Sequence, residues 1–180
     1  MLDAVTFVCQ ECGHHFTADE QPSRCPACPS HGKSRDFPTA ASLTIAAQND
    51  TFRQAMGILP VLICGEMLDA TLNQSTKYLF AVAPIEAPGN VTGTVVITRG
   101  IGEAGADFLR KALAAVANDQ TFTEDNDPWS DHSFGVVTVE TRRVWWKIDL
   151  YDLAREFGAE APTDPTETSR VLTIMFPSEY

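Results

Sequence analysis

Basic residues are scarce in this sequence. Thirteen lysines and arginines stand against 24 aspartates and glutamates, for a formal net charge of −11. A surface of that sign repels phosphate, so nonspecific nucleic-acid binding by the chain as a whole is disfavoured. Long apolar runs are also missing. No window holds eighteen uninterrupted apolar residues, and no transmembrane helix is expected. The opening MLDAVTFVCQ lacks a basic n-region followed by an apolar stretch, so no export signal is expected and the cytoplasm is the expected location. No repeat, Gly-rich phosphate loop or Ser–His–Asp pattern is visible. What remains is the composition of a globular protein, 44% hydrophobic and 21% charged, in 180 residues.

Four of the five cysteines form two Cys-x-x-Cys pairs, Cys9/Cys12 and Cys25/Cys28, with twelve residues between the pairs. In a reducing compartment such pairs bind metal more often than they form disulfides. Each pair sets two sulfurs on one tight turn, with Gly13 free to take a positive φ and Pro26 stiffening the second turn. Two such knuckles close a tetrahedral four-thiolate site. The pattern is similar to zinc ribbons and to rubredoxin-like knuckles, so zinc is the expected metal and iron its rival. The iron-carboxylate helices of rubrerythrins need paired Glu-x-x-His motifs. Here Glu11–His14 is the one Glu-x-x-His, and it lies inside the knuckle. Four cysteines fill the coordination shell, which leaves His14, His15 and His31 as neighbours and gives the ion a structural role. Cys64, in ILPVLICG, reads as a small buried hydrophobe.

The chain divides into a zinc ribbon at 1–32, a linker at 33–39 and an α+β domain at 40–180. The expected fold is a mainly antiparallel sheet packed with two or more helices. A helix is expected over 40–56, ending at Gly57, and another over the stripe 105, 108, 109, 112, 113 and 116. Strands are expected at VTGTVVITRG, at FGVVTVE and RVWWKIDLYD with a tight turn near Thr141, and at RVLTIMF. In the second of these, Val144, Trp146, Ile148 and Leu150 share one face, and Trp145, Lys147, Asp149 and Tyr151 the other. Periodicity does not settle residues 58–90.

Residues 124–180 hold twelve acids and five bases, which is −7 of the −11. The default meaning is a solvated acidic face. Within TEDNDPWSDHSFG and the following strand, Asp127, His132, Lys147 and Asp149 could hold a divalent cation and stabilise a phosphoryl transition state, as in a metal-dependent nuclease or phosphohydrolase. The simpler reading is a loop whose Asp and Asn side chains satisfy backbone amides while Pro128 fixes the turn, with no catalytic residue.

NDTFR at 49–53, FTEDNDPWSDHSFG at 122–135, WKIDLYD at 146–152 and RVLTIMFPSEY at 170–180 resemble a bacterial family known only as a domain of unknown function. Its members are often encoded on plasmids and other mobile elements. The family pattern in the loop is NDP, two variable residues, then Glu-His-Asp-Phe-Gly. This chain keeps Asn126, Asp127, Pro128, His132, Phe134 and Gly135, but has Asp131 for the Glu and Ser133 for the Asp. Against that family, the ribbon is an N-terminal addition and 57–92 an insertion. Membership of such a family supplies no established activity; the expected function is a non-enzymatic interaction or regulatory protein with a protein partner, such as a mobile-element accessory factor that inhibits a host defence nuclease by acidic mimicry. The nuclease or phosphohydrolase reading is the alternative.

Overall fold

Thirty residues cannot bury enough surface to hold themselves together, so the N-terminal segment organises around its cysteines. The computed structural model describes residues 4–56 and 79–180. β1 (Val5–Val8) and β2 (His15–Ala18) pair antiparallel, and the turn between them carries Cys9 and Cys12. Residues 33–39, expected as a linker, are packed against this hairpin. They form a 3-10 turn at Ser34–Asp36 and bury Phe37 completely. Backbone amides of Val8 and Gln10 donate to Pro38 and Asp36 carbonyls at 2.9 and 3.0 Å.

Helix α1 (Ala40–Ala55) starts where Thr39 takes extended angles and its hydroxyl accepts the Ser42 amide at 2.9 Å. It ends at a buried Met56, one residue before the expected stop. Cys64 and residues 57–78 of the expected insertion lie outside the described residues. The rest of that stretch builds β3 (Leu79–Ala87), a turn at Pro88–Asn90, and the start of β4 (Val91–Thr98). Two helices follow, α2 (Arg99–Glu103) and α3 (Ala106–Ala117). The chain closes with β5 (Phe134–Val139), β6 (Arg142–Tyr151) and β7 (Ser169–Met175).

The five strands lie in the order β3-β4-β7-β6-β5. All neighbours are antiparallel except β4 and β7, so the fold is α+β with a mixed, mainly antiparallel sheet. α1 packs on β3 and β4, and α3 on β5. The shared core holds Phe52, Val95, Ile97, Leu113, Val144, Trp146, Leu172 and Ile174. β6 buries Val144, Trp146 and Ile148 as its alternation requires, and α3 buries Phe108, Leu109, Ala112, Leu113 and Val116. Among the described residues, no helix is long and apolar enough to cross a membrane.

Gly135 faces Trp146 across β5 and β6, and a Cβ there would stand 2.5 Å from the indole. Trp146 is fully buried and has no room to retreat. Gly135→Ala should therefore cost about 1–3 kcal/mol by overpacking. Urea unfolding followed by tryptophan fluorescence reads this as a lowered midpoint with an unchanged slope.

Candidate functional site

The two knuckles bring four sulfurs to one point. Cys9 and Cys28 Sγ are 3.8 Å apart, Cys12 and Cys25 Sγ are 3.7 Å apart, and all four lie within 4.8 Å of one another. A tetrahedral ion with metal–sulfur bonds of about 2.3 Å needs sulfur–sulfur edges of about 3.8 Å. Two of the six edges match that value and the others lie within 4.8 Å, so the donor set suits a four-coordinate ion. Gly13, at φ 71, turns the chain so that its amide reaches the Cys9 carbonyl at 2.8 Å, and the Ala27 amide points at Cys25 Sγ at 3.4 Å. Cys9 and Cys25 pack with Phe37, and the ring of Phe16 meets Phe37 edge-on.

Sharing so small a volume splits the thiols. Burial disfavours the Cys9 thiolate, but the Cys12 and Glu11 amides and the Cys12 and Cys25 thiols hydrogen-bond to it and bring it down to about 7. The Ser30 amide favours ionised Cys28, yet burial and the three facing sulfurs drive that thiol up to about 12. A bound cation is what allows all four to carry charge together. His14 lies flat against Phe16 instead, and among the described residues the four cysteines are the one group of this kind with converging ligand atoms.

The acidic loop is built from its own side chains. Asn126 accepts the Thr123 amide at 2.6 Å and donates to the Thr121 carbonyl at 2.7 Å. Asp127 Oδ1 accepts the amides of Asp131 and His132 at 3.0 and 3.1 Å. Ser130 and His132 take left-handed angles, φ 55 and 51, which those bonds hold in place. The His132 ring stacks on Phe122 at 3.6 Å, and its Nδ1 meets Asp50 Oδ2 of α1 at 2.9 Å. Asn49 reaches the Asp131 carbonyl at 2.9 Å, and Lys33 from the ribbon side pairs with Glu124 at 2.8 Å. Trp129 stands at the tip, 66% exposed.

This geometry separates the four residues considered for cation chemistry. Asp127 and His132 are together on the helix-covered side, with Asp127 Oδ2 3.7 Å from His132 Nε2. Lys147 and Asp149 pair with each other at 2.7 Å on the opposite face of β6. That face holds a surface cavity of about 580 Å³ with Tyr151, Val171, Thr173 and Tyr180 in its lining. The two pairs do not converge on one ion.

Sequence reasoning missed the residue that ties the loop down. Arg53 is fully buried. Its Nη1 donates to the Val116 and Ala117 carbonyls at 2.6 and 3.1 Å, and its Nη2 to Asp50 at 2.8 Å. It thereby caps the C-terminus of α3, where free carbonyls and the helix dipole favour a cation. Its guanidinium also lies over Phe122 and Trp146, and Trp146 Nε1 donates to Asp119 at 2.9 Å. Arg53 stands in NDTFR, beside the Asn49 and Asp50 that hold the loop. A charged residue one turn after an Asn-Asp pair, on the apolar stripe of a helix, was the available signal.

Residues 97–179, a little under half of the chain, match the family described as "Protein of unknown function (DUF3768)". No curated protein and no solved structure matches the chain. The matched stretch contains α3, the acidic loop and β5 to β7, and it excludes the ribbon and α1.

The two carboxylates around His132 respond to pH in opposite senses. Burial opposes the charge on Asp50, but the hydrogen bonds from His132 and Arg53 outweigh it and hold its carboxyl below the usual value of 3.8. Its contribution to stability is therefore present above that value and lost as pH falls through the depressed one. For Asp127, burial prevails over the amides of His132 and Asp131 and raises its carboxyl above 3.8. Protonating it as pH falls stabilises the fold. Asp50→Ala should cost about 3 kcal/mol at neutral pH, since it strands a buried guanidinium. Asp127→Asn keeps the Oδ1 acceptor and should be near neutral or stabilising. Urea midpoints of both variants at pH 7 and near pH 4 check the pair of signs.

Proposed function

We propose that this protein is a non-enzymatic interaction or regulatory protein with one structural zinc ion, and that the acidic loop carrying Trp129 is its contact surface. The observation that carries the reading is the loop itself. Its backbone is locked by Asn126 and Asp127 and tied to α1 and the ribbon, yet it presents a large aromatic side chain to solvent. An ordered loop with an exposed Trp needs little ordering on binding, and such side chains are frequent anchors of interfaces. Glu124, Asp125 and Asp131 lie within five residues of it in the sequence, Glu124 paired with Lys33 and Asp131 with Ser133, so the complementary partner is a protein with an apolar pocket and a basic rim. In its specific form, the protein is a mobile-element accessory factor acting on a host protein, such as a defence nuclease whose phosphate track the carboxylates occupy. The separation of Asp127 and His132 from Lys147 and Asp149 weighs against a nuclease or phosphohydrolase.

Zinc is favoured because four thiolates close a tetrahedral shell and leave no position for a substrate water. Binding of a structural zinc supplies about 10 kcal/mol toward folding of so small a module. Elemental analysis of the purified full chain should find one zinc per chain, retained without magnesium or manganese. Iron in that place would overturn the assignment.

For the contact surface, the test is affinity capture from host lysate with the wild-type chain and Trp129→Ala. The expected partner is basic, is released by salt or added DNA, and binds about tenfold or more weakly to the variant. Capture indifferent to Trp129 would sink the loop as the contact. Cation-dependent cleavage of nucleic acid or a phosphoester by the wild type would sink the non-enzymatic reading.

A further inference from the structure

The two edges of the five-stranded sheet are built differently. β3 has the features that protect a natural edge: Pro84, the acidic Glu86 and a register irregularity between Ala81 and Ala83. β5 at the other edge has none of them. It reads FGVVTV, without charge, proline or bulge, and its register with β6 is unbroken from Phe134 to Val139.

Its hydrogen-bonding direction follows from the turn. The two-residue connection Glu140–Thr141, with Glu140 at φ 57, closes on the pair Val139–Arg142. In such a hairpin the closing pair exchanges both backbone bonds, and the pattern then alternates. Val139, Val137 and Gly135 therefore bond to β6, and the Ser133 carbonyl, accepting the Ile148 amide at 2.7 Å, continues the series. The amides and carbonyls of Phe134, Val136 and Thr138 point outward. Among the described residues these six groups have no partner.

We propose that β5 is a self-association edge, on which a second copy of this chain pairs antiparallel about a two-fold axis at Val136. That register sets Val136 against its own counterpart and Phe134 against Thr138 of the second copy. The three facing pairs exchange about six backbone bonds. Each contact is reciprocal, Phe134 to Thr138 and Thr138 to Phe134, with no like charges opposed in the three facing pairs, as an isologous contact requires. Glu140 of each copy lies opposite His132 of the other. Thr138 is exposed, and Val136 and Val137 are half-buried, so the pairing covers apolar surface already at the edge. Each chain brings a net charge of −11, so association strengthens as salt screens the repulsion between copies.

Sedimentation velocity of the purified full chain tests this over a hundredfold concentration range, at low and moderate salt. The expected result is a 19.6 kDa species at low concentration passing to twice that mass, at lower concentration in the higher salt. Thr138→Pro removes an outward donor without touching the β6 ladder, and Val136→Lys opposes two lysines across the axis. Each should weaken dimerisation at least tenfold while far-UV circular dichroism and tryptophan fluorescence stay those of the wild type. If one variant loses that folded signature, the other decides. A chain that is monomeric throughout overturns the proposal, and so does a dimer that both folded variants leave intact.

Discussion

Burying a guanidinium is among the more demanding things a small fold can do, because the charge and its five donors must be satisfied without water. Arg53 meets that demand at Nη1 and Nη2, while its buried Nε has no hydrogen-bond partner and lies among aromatic rings. The end of α3 gives two carbonyls, α1 gives Asp50, and Phe122 and Trp146 give aromatic faces. None of these can shift without stranding a buried charge. The position of α1 against α3 is thus fixed by polar contacts as well as by the apolar core. The same Asp50 that neutralises Arg53 also holds His132, so the constraint passes directly to the acidic loop. The loop's left-handed residues are affordable because both ends of this chain of contacts are anchored.

The ribbon solves a different problem. It has too few residues for a core of its own, and its sulfur cluster takes the place of one. Yet it is not tethered loosely. Backbone bonds from Val8 of β1 to Pro38 and from Gln10 in the following turn to Asp36 bring the chain back across the hairpin, Phe37 fills the space beside the cysteines, and Thr39 then caps α1. The helix bearing Asn49, Asp50 and Arg53 begins one residue after the ribbon's last contact. The cysteine cluster and the acidic loop are therefore joined along α1, and linked a second time by Lys33 and Glu124.

Much of this was legible in the sequence, and the parts that were not share a cause. Strands with β-branched alternation and the stripe of α3 announce themselves, because period and burial agree there. The cysteine knuckles do so because ligand spacing is local. The packing of residues 33–39 was not legible, since their Lys, Ser, Arg and Pro have loop composition and one aromatic side chain, Phe37, decides it. Parallel pairing of β4 with β7 is set by contacts more than seventy residues apart, which no local pattern records. Arg53 and Arg170 were invisible for the same reason. Each is buried against distant parts of the chain, and Arg170 finds neutral amides of Gln48 and Asn49 rather than a carboxylate, with its Nη1 left without a hydrogen-bond partner. Burial without a counter-ion lowers its pKa to about 10. The cluster of acids beside a histidine was legible as residues but ambiguous as chemistry, since sequence order does not say which face of β6 a side chain meets until the loop is placed.

That ambiguity resolves through the division of labour among the carboxylates. Asp127 accepts two amides with one oxygen and is almost wholly buried, so it shapes the loop and is not available to a substrate. Asp50 is committed to Arg53 and His132, and Asp131 to the amide and hydroxyl of Ser133. The oxygen that Asp127 leaves without a hydrogen-bond partner, Oδ2, is buried 3.7 Å from His132 Nε2, while Asp50 and Asp131 are engaged by neighbouring side chains and the Ser133 amide. What the loop leaves at the surface is the Trp129 ring, with Glu124 paired to Lys33 and Asp131 to Ser133.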